Sequence, residues 1–284
     1  MSALPHPTEN QALDQIMAKV DDLAVLPHVV FKVLEIMGDC DSPAVEMEKA
    51  ITIDPGFSTK ILTLANSAYF GLPKRVTSIK EALMFLGFKS VRNLAMTVGA
   101  FDMFVGKNDE ESLRRRAWWR HSVDTAVCAK WLAKLAPGLS GDEAYTCGLL
   151  HFLGRTLLDR FGDGNYTECS HVIESGVPVV EAETRIFGCQ HVDVAVAAAR
   201  KWGFPESLVQ GLRYVEEAQP TDEFKSERAV TALSSAIAKL AKQGCKEELD
   251  IPMWTFAILQ LPVEKAEAIV DEGIAEITAA QLSF

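Results

Sequence analysis

Glycine and proline lie between the apolar stretches of this 284-residue chain and rarely inside them. Within those stretches the apolar residues recur three and four positions apart, which is the period of an amphipathic α-helix. No run of four or more residues alternates apolar and polar side chains with turn residues on both sides, as a half-buried strand would. The pattern therefore predicts an all-α protein.

Local chemistry indicates where several helices begin. Asp54-Pro55 places a capping carboxylate directly before a proline at the first helical position. Ser78 and Ser140 each stand three residues before a glutamate, which is the arrangement of a capping box. The helix opened by Ser140 is expected to contain His151. The other helices expected after residue 108 cover residues 112–135, 166–175, 179–187, 192–202, 206–217, 224–243 and 263–280.

The chain is expected to form two packed helical units. Phe57, Ile61 and Leu64 lie on one stripe at helical spacing and should be core residues of an N-terminal bundle. A short polar break at residues 107–111 separates this bundle from the rest. We therefore predict an N-terminal helical bundle at residues 1–107, packed on a second helical domain at residues 108–284.

Composition and charge exclude several classes of function. There are 28 Lys and Arg residues against 39 Asp and Glu, which gives a net charge of −11. This charge argues against a general nucleic-acid surface, and residues 114–116, three arginines, are expected to be a solvated helix start. The six cysteines include no C-x-x-C pair. The longest nearly apolar run, residues 251–263, is too short to span a bilayer, and no secretory leader is evident. We expect a cytoplasmic protein that binds neither membrane nor nucleic acid.

Two histidines carry the strongest chemical signal. His121 lies on an apolar helical stretch, and about thirty residues later comes Gly148-Leu149-Leu150-His151-Phe152. A histidine on one helix and a Gly-Leu-Leu-His-Asp step on the next resemble the metal site of HD-type phosphohydrolases. In this chain the aspartate of that step is replaced by Phe152, an apolar ring that cannot bind a cation through oxygen.

The wider sequence is similar to the HDOD family, the HD-related output domains. The resemblance covers roughly residues 20–240. It is carried by residues 54–62, 64–71, 78–79, 86–88, 91–95, 120–122, 148–151 and 202–205, among which Asn-Ser-Ala-Tyr-Phe-Gly at 66–71 is the most distinctive. The resemblance implies an all-helical output or regulatory module of bacterial signal transduction, with a degenerate HD-like helical domain at residues 108–284.

The same resemblance implies where metal ligands would lie. His121 and His151 match the first two ligand positions, Phe152 replaces the adjacent aspartate, and Ser235 aligns with the distant aspartate. Two imidazoles without a carboxylate cannot hold an octahedral magnesium or manganese ion. We therefore expect no catalytic residue, no metal and no cofactor.

Three interpretations of the histidines stay open on sequence alone. They could be hydrogen-bonded packing residues, ligands of a residual metal-dependent phosphohydrolase (including zinc in another geometry), or the wall of a former active-site pocket that binds a small anion. The candidate pocket residues are Arg120, His121, Asp124, His151, Arg155 and His191. We predict that Phe152 is buried and closes the former cleft.

The leading functional expectation is a non-catalytic signalling module that acts by contacting a protein partner. The turn around residue 70 places aromatic rings beside cations and is the candidate interface; the alternative is a helix corner with the rings tucked inside. The candidate interface residues are Tyr69, Phe70, Lys74 and Arg75.

Overall fold

A computed structural model describes residues 9–21, 28–37, 44–67, 70–106, 109–219, 221–243 and 251–281. Across these residues all regular structure is helical and no strand occurs, so the predicted all-α class is confirmed. The first eight helices are α1 (Glu9–Asp21), α2 (His28–Met37), α3 (Ala44–Thr52), α4 (Pro55–Ala65), α5 (Ile79–Leu86), α6 (Phe88–Phe101), α7 (Asp109–Leu132) and α8 (Gly141–Leu150). The remaining helices are α9 (Leu153–Phe161), α10 (Tyr166–Glu174), α11 (Val179–Phe187), α12 (His191–Lys201), α13 (Glu206–Gly211), α14 (Lys225–Gln243), α15 (Trp254–Ile258) and α16 (Ala266–Gln281).

The predicted helix caps form, with one change. The Asp54 carboxylate accepts a hydrogen bond from the Phe57 backbone N–H at 3.0 Å, and the Ser78 hydroxyl accepts one from the Glu81 N–H at 3.1 Å. The Glu81 carboxylate reaches back to the backbone N–H of Thr77, at 2.8 Å, one residue before the cap. These bonds satisfy backbone donors that the first turn of a helix leaves unpaired.

Two of the three expected core residues of α4 are in the core. Phe57 and Ile61 are buried, which confirms the predicted helical phase. Leu64 is half-buried and packs against the core from its edge, so it is not fully enclosed as the other two are. It lies at the edge of the stripe and faces a cavity beside α7.

Asn66 fixes the turn that follows α4. Its side-chain amide donates to the carbonyls of Leu62 and Val76, both at 2.8 Å, and its amide oxygen accepts from the Val76 N–H at 2.7 Å. One side chain thus joins the end of α4 to the irregular segment before α5, ten positions along the chain. The Asn66 amide thus makes a pair of hydrogen bonds with the Val76 backbone, as another peptide group would. This pairing explains why asparagine stands at this position of the turn.

Polar contacts join the N-terminal helices to α8. The Asn93 side chain donates to Asp142 at 2.9 Å, and the hydroxyls of Thr97 and Tyr145 lie 2.9 Å apart. The first helix does not follow the expected division, because α1 packs on α9 and α12, and Lys19 donates to the Phe161 carbonyl at 2.9 Å. The boundary at residue 107 stays a prediction.

The arginines at the start of α7 are not a solvated face. Arg115 is only 1% exposed, and its guanidinium donates to Asp159 on α9 at 2.6 Å. Arg114 donates to the other oxygen of the same carboxylate, also at 2.6 Å. The expectation for residues 114–116 was therefore wrong at two of three positions, since these cations join α7 to α9.

Two helix limits also differ from the sequence-based prediction. The helix expected at residues 206–217 ends at Gly211 and continues as successive turns. His151 lies just after the last residue of α8 rather than inside the helix, and α9 begins two residues later. Both changes turn a side chain inward, Tyr214 in the first case and His151 in the second.

Four of the six cysteines, Cys128, Cys147, Cys169 and Cys189, are buried free thiols. Cys40 and Cys245 lie outside the described residues. Over the same described ranges, no helix combines the length and the hydropathy that crossing a bilayer requires.

Candidate functional site: a buried histidine seam

Two glycines bring the histidine-bearing segments together. A Cβ atom on Gly148 would lie 2.8 Å from the Cα of Ala126, so α8 can press directly on the backbone of α7. A Cβ atom on Gly154 would lie 1.7 Å from the carbonyl oxygen of His191, so α9 packs equally closely on the start of α12. Glycine at both positions permits these approaches and places His121, His151 and His191 in one region.

Ser235 on α14 bridges the first two histidines. Its hydroxyl oxygen lies 3.1 Å from Nε2 of His121 and 3.3 Å from Nε2 of His151. On the other side of the His151 ring, Nδ1 lies 2.6 Å from the carbonyl oxygen of Gly148. We call His121, His151, Phe152 and Ser235 the histidine seam.

The hydrogen-bond chain through the seam has a single direction when both imidazoles are neutral. The Gly148 carbonyl can only accept, so Nδ1 of His151 carries the proton and Nε2 is an acceptor. Ser235 has one hydroxyl proton and donates it to that Nε2. Its oxygen must then accept from Nε2–H of His121.

The surroundings keep both seam histidines neutral. Burial is the largest cause that lowers the pKa of His121, to about 3, and the charge of Arg155 adds to it. Burial likewise lowers the pKa of His151 well below its ordinary value, with a further contribution from His121. A neutral pair is what the bridging hydroxyl requires.

Phe152 fills the space beside these rings. Its ring is stacked on His121 with centroids 4.8 Å apart, and its centroid lies 4.1 Å from that of His151. The central guanidinium carbon of Arg155 lies 4.1 Å from the centroid of the Phe152 ring, in cation–π geometry. Phe152 is 7% exposed, so its predicted burial is confirmed.

His191 belongs to a second cluster with a different partner. Its Nδ1 lies 2.5 Å from a carboxylate oxygen of Glu183, and its backbone N–H donates to the same oxygen at 2.9 Å. Its Nε2 lies 3.0 Å from the Tyr214 hydroxyl. The Tyr166 hydroxyl donates to the other Glu183 oxygen at 2.6 Å, and Nε of Arg155 lies 3.8 Å from that oxygen.

Glu183 is fully buried yet ionised. Burial alone raises the pKa of its carboxyl, but His191, Arg155 and Tyr166 together more than offset this and lower the pKa to about 2. Burial raises the pKa of Tyr214 to about 12. We call Glu183, His191, Tyr166, Tyr214 and Arg155 the carboxylate cluster.

The seam residues do not form a metal site of the HD type. The two imidazoles share a serine hydroxyl where a carboxylate would be needed, and the ring of Phe152 occupies the adjacent position. Throughout the described part of the chain, no group of three or more His, Cys, Asp or Glu side chains has the spacing to hold an ion. The ligand set does not fit the metal that the HD fold implies.

The structure separates the six candidate pocket residues. His121, His151, Arg155 and His191 lie together in the seam and the carboxylate cluster. Arg120 and Asp124 lie on another face of α7, where their side chains pair at 3.5 Å and line a cavity towards α4 and α6. Neighbours in sequence on a helix point about 100° apart, which explains why Arg120 and His121 face different surroundings.

The candidate interface residues are placed at the turn after α4. Phe70 is half-buried and packs on the core, whereas Arg75 is exposed. Lys74 lies 5.1 Å above the exposed ring of Phe85. Tyr69 lies outside the described residues. The assignment of this turn as an interface stays a prediction.

Sequence reasoning missed the partners of His191. Glu183 occupies a buried position on α11 between Ala182 and Phe187, so a glutamate on an apolar stripe was the available signal. Tyr214 carried no such signal, because it reaches His191 only after the chain leaves α13 and turns inward.

The sequence profile of the HDOD domain matches residues 23–218, well over half of the chain. The chain belongs to the HDOD family. An HDOD domain protein from Geobacter sulfurreducens has a similar structure, with a TM-score of 0.76 and 23% identity, and the match covers 97% of this chain and 99% of that one. The expected family is thus confirmed.

Two other solved structures have a fold similar to that of the chain. One is described as a candidate phosphohydrolase from Shewanella amazonensis SB2B, with a TM-score of 0.71, 24% identity, and coverage of 95% of this chain and 98% of that chain. The other is described as a candidate signal transduction protein from Marinobacter aquaeolei VT8, with a TM-score of 0.73, 18% identity, and coverage of 99% and 66%. At these identities the likeness concerns the fold alone.

A protein of Treponema pallidum (strain Nichols) is 29% identical over 208 residues. The match covers 70% of this chain but only 38% of that protein. The chain therefore spans well under half the length of this curated relative.

Proposed function

We propose that this HDOD protein is a non-catalytic regulatory module of signal transduction that acts by contacting a protein partner. One observation carries the proposal: Ser235 and Phe152 occupy the positions where an HD hydrolase needs carboxylates, and both are bonded or stacked to the histidines. A hydrolase needs an open metal cleft, whereas a module that binds a partner can have a filled one.

The neighbouring charges also support a non-catalytic seam. A phosphate substrate would need a cation with unsatisfied charge near the histidines. Arg155, the nearest candidate, lies 3.8 Å from Glu183, is covered by Phe152, and is only 16% exposed. Its charge is balanced within the protein, which argues equally against the alternative of a small-anion pocket.

The test compares the wild type with Phe152→Asp and with the double variant Phe152→Asp/Ser235→Asp, which restores both missing carboxylates. Each is assayed with manganese on a chromogenic phosphodiester and on a cyclic dinucleotide. We expect no metal-dependent turnover by the wild type or by Phe152→Asp. We also expect Phe152→Asp to lower the free energy of unfolding by about 3–5 kcal/mol, because a buried ring is replaced by a charge.

Two results would contradict the proposal. One is turnover by the wild type that His151→Gln abolishes, which would place a working metal site at the seam. The other is turnover by Phe152→Asp with an unchanged melting temperature, which would mean that one carboxylate suffices. Partner contact is tested separately by capture from native lysate with the wild type and with Lys74→Glu/Arg75→Glu. Loss of a specific partner in this variant, but not in Lys134→Glu, supports the predicted interface.

A further inference from the structure

A sizeable cavity lies away from the histidine seam. It has a volume of about 650 Å³ and lies between α4, α6 and α7, with Ala280 near the end of α16 at one edge. This volume is in the range of small-molecule sites, about 300–1,000 Å³.

Apolar side chains form most of the cavity wall. They come from three helices that the fold brings together, namely Leu64, Val98, Phe101, Trp119, Val123 and Val127. Phe101 is 39% exposed, and its ring meets that of Trp119 edge-on with centroids 5.3 Å apart. An exposed aromatic edge beside an apolar cavity is unfavourable in water and would be covered by a bound apolar group.

The hydroxyl groups in the wall already have partners. Thr59 donates to the carbonyl of Pro55 and Thr63 to that of Thr59, so both hydroxyl protons are already used within α4. The Thr97 hydroxyl donates to the carbonyl of Asn93. The lining residues described by the structure include no Asn or Gln, which are the side chains that read the edge of a base. This wall suits an aliphatic body better than a nucleotide.

Cations surround the mouth of the cavity. Lys60 on α4 and Arg116 and Arg120 on α7 all line it and are all exposed. Asp124 is the one acidic side chain among the lining residues, and it pairs with Arg120 at 3.5 Å. The local excess of positive charge contrasts with the net charge of −11 of the chain. It favours an anionic group at the mouth.

We propose that this cavity binds an anionic amphiphile, a molecule with one carboxylate-type head and an aliphatic chain. The chain lies along the apolar wall, and the head is held by Lys60 and Arg116 at the mouth. Arg116 uses one guanidinium donor on the Ser112 carbonyl and has others for the head group. The helices α4 and α6 form one side of the cavity and α7 forms the other. The ligand therefore contacts helices on both sides of the predicted boundary at residue 107.

Binding is tested by calorimetry on the full chain with dodecanoate below its micelle concentration. Dodecanol and dodecyltrimethylammonium serve as probes with the same chain and a neutral or positive head. We expect saturable binding of one dodecanoate, with dodecanol weaker by about ten- to a hundredfold, the loss of a charge-assisted hydrogen bond. Equal affinity for all three probes would refute the role of the cations.

Three variants locate the site. Lys60→Gln/Arg116→Gln should weaken dodecanoate binding by about ten- to a hundredfold but leave dodecanol unchanged, whereas Lys134→Gln, an exposed lysine outside the cavity, should change neither. Thr63→Trp should abolish binding, because it places a ring over the cavity from an exposed position without disturbing the core. Unfolding curves confirm that each variant is folded.

Two outcomes would overturn the proposal. Binding that Thr63→Trp leaves intact would mean adsorption elsewhere on the surface. The chain also continues past Ala280 with residues 281–284, which end in Leu282-Ser283-Phe284. If dodecanoate binds only to the Phe284→Ser variant, residues 281–284 compete with it for the cavity. The amphiphile is then not the natural occupant of the cavity.

Discussion

His151 and His191 are both fully buried, and both have their two ring nitrogens engaged, yet their partners differ in charge. His151 lies between a carbonyl and a hydroxyl, which are neutral. His191 lies between the Glu183 carboxylate and a hydroxyl. In the seam, burial is balanced by keeping the imidazoles neutral; in the carboxylate cluster, it is balanced by opposite charges. The comparison shows that one residue type can be buried in two ways, beside neutral partners or beside an ionised carboxylate.

The largest expected effect comes from removing the charge of the carboxylate cluster. Glu183→Gln keeps the shape but leaves the Arg155 guanidinium without its counter-charge, so the free energy of unfolding should fall by about 3–5 kcal/mol. Urea unfolding measures this loss. The matched control is Glu181→Gln, on the same helix, whose exposed pair with Arg185 should contribute under about 1 kcal/mol. Equal losses in the two variants would show that the buried charge is not special.

A smaller effect is expected when the neutral bridge of the seam is removed. Ser235→Ala leaves Nε2 of His121 and of His151 without their shared partner, which should cost about 1–3 kcal/mol in free energy of unfolding. Ser234→Ala is the control on the same helix. Its hydroxyl donates to the Val230 carbonyl, which already accepts a helix bond, so less should be lost. A greater loss for Ser234→Ala would argue that the bridge contributes nothing.

The smallest effect, when it is expressed per pH unit, is a change in the pH dependence of stability. Because the pKa of His121 falls from 6.5 unfolded to about 3 folded, the unfolded chain binds a proton in this interval that the native chain does not. The contribution is therefore complete above pH 6.5 and is lost as pH decreases towards 3, at about 1.4 kcal/mol per pH unit.

His121→Gln should remove about that much from the slope between pH 6.5 and 4.5. Glu183 affects the slope only below pH 4.5, because its pKa is lowered on folding from 4.5 to about 2 and its stabilising contribution, complete above pH 4.5, is lost as the pH falls towards 2. His171→Gln, at an exposed position on α10, is the matched control for the substitution itself. An unaltered slope for His121→Gln would mean that the pKa of His121 does not change on folding.

Much of the fold could be predicted from sequence because its determinants are local. Helical periodicity, the caps at Asp54, Ser78 and Ser140, and the family resemblance all depend on residues close together along the chain. The burial of Phe152 could be predicted for a related reason, since a large apolar ring at an inward position has one favourable environment.

The rest depends on contacts between distant segments, which sequence spacing does not specify. The pairing of Glu183 with His191 requires α11 to pack beside α12, and that of Arg115 with Asp159 requires α7 to cross α9. The grouping of Arg120 with His121 failed because neighbours on a helix diverge, so closeness in sequence did not mean a shared pocket.

The hydrogen bonds of Asn66 have a consequence for recognition at the turn that follows it. Because Asn66 ties Leu62 to Val76, the two ends of the intervening loop are closed when the protein folds. The entropy of loop closure is therefore lost during folding and not again when a partner arrives. A partner that contacts Lys74 and Arg75 meets a loop whose ends are already fixed, so more of the contact free energy remains as affinity.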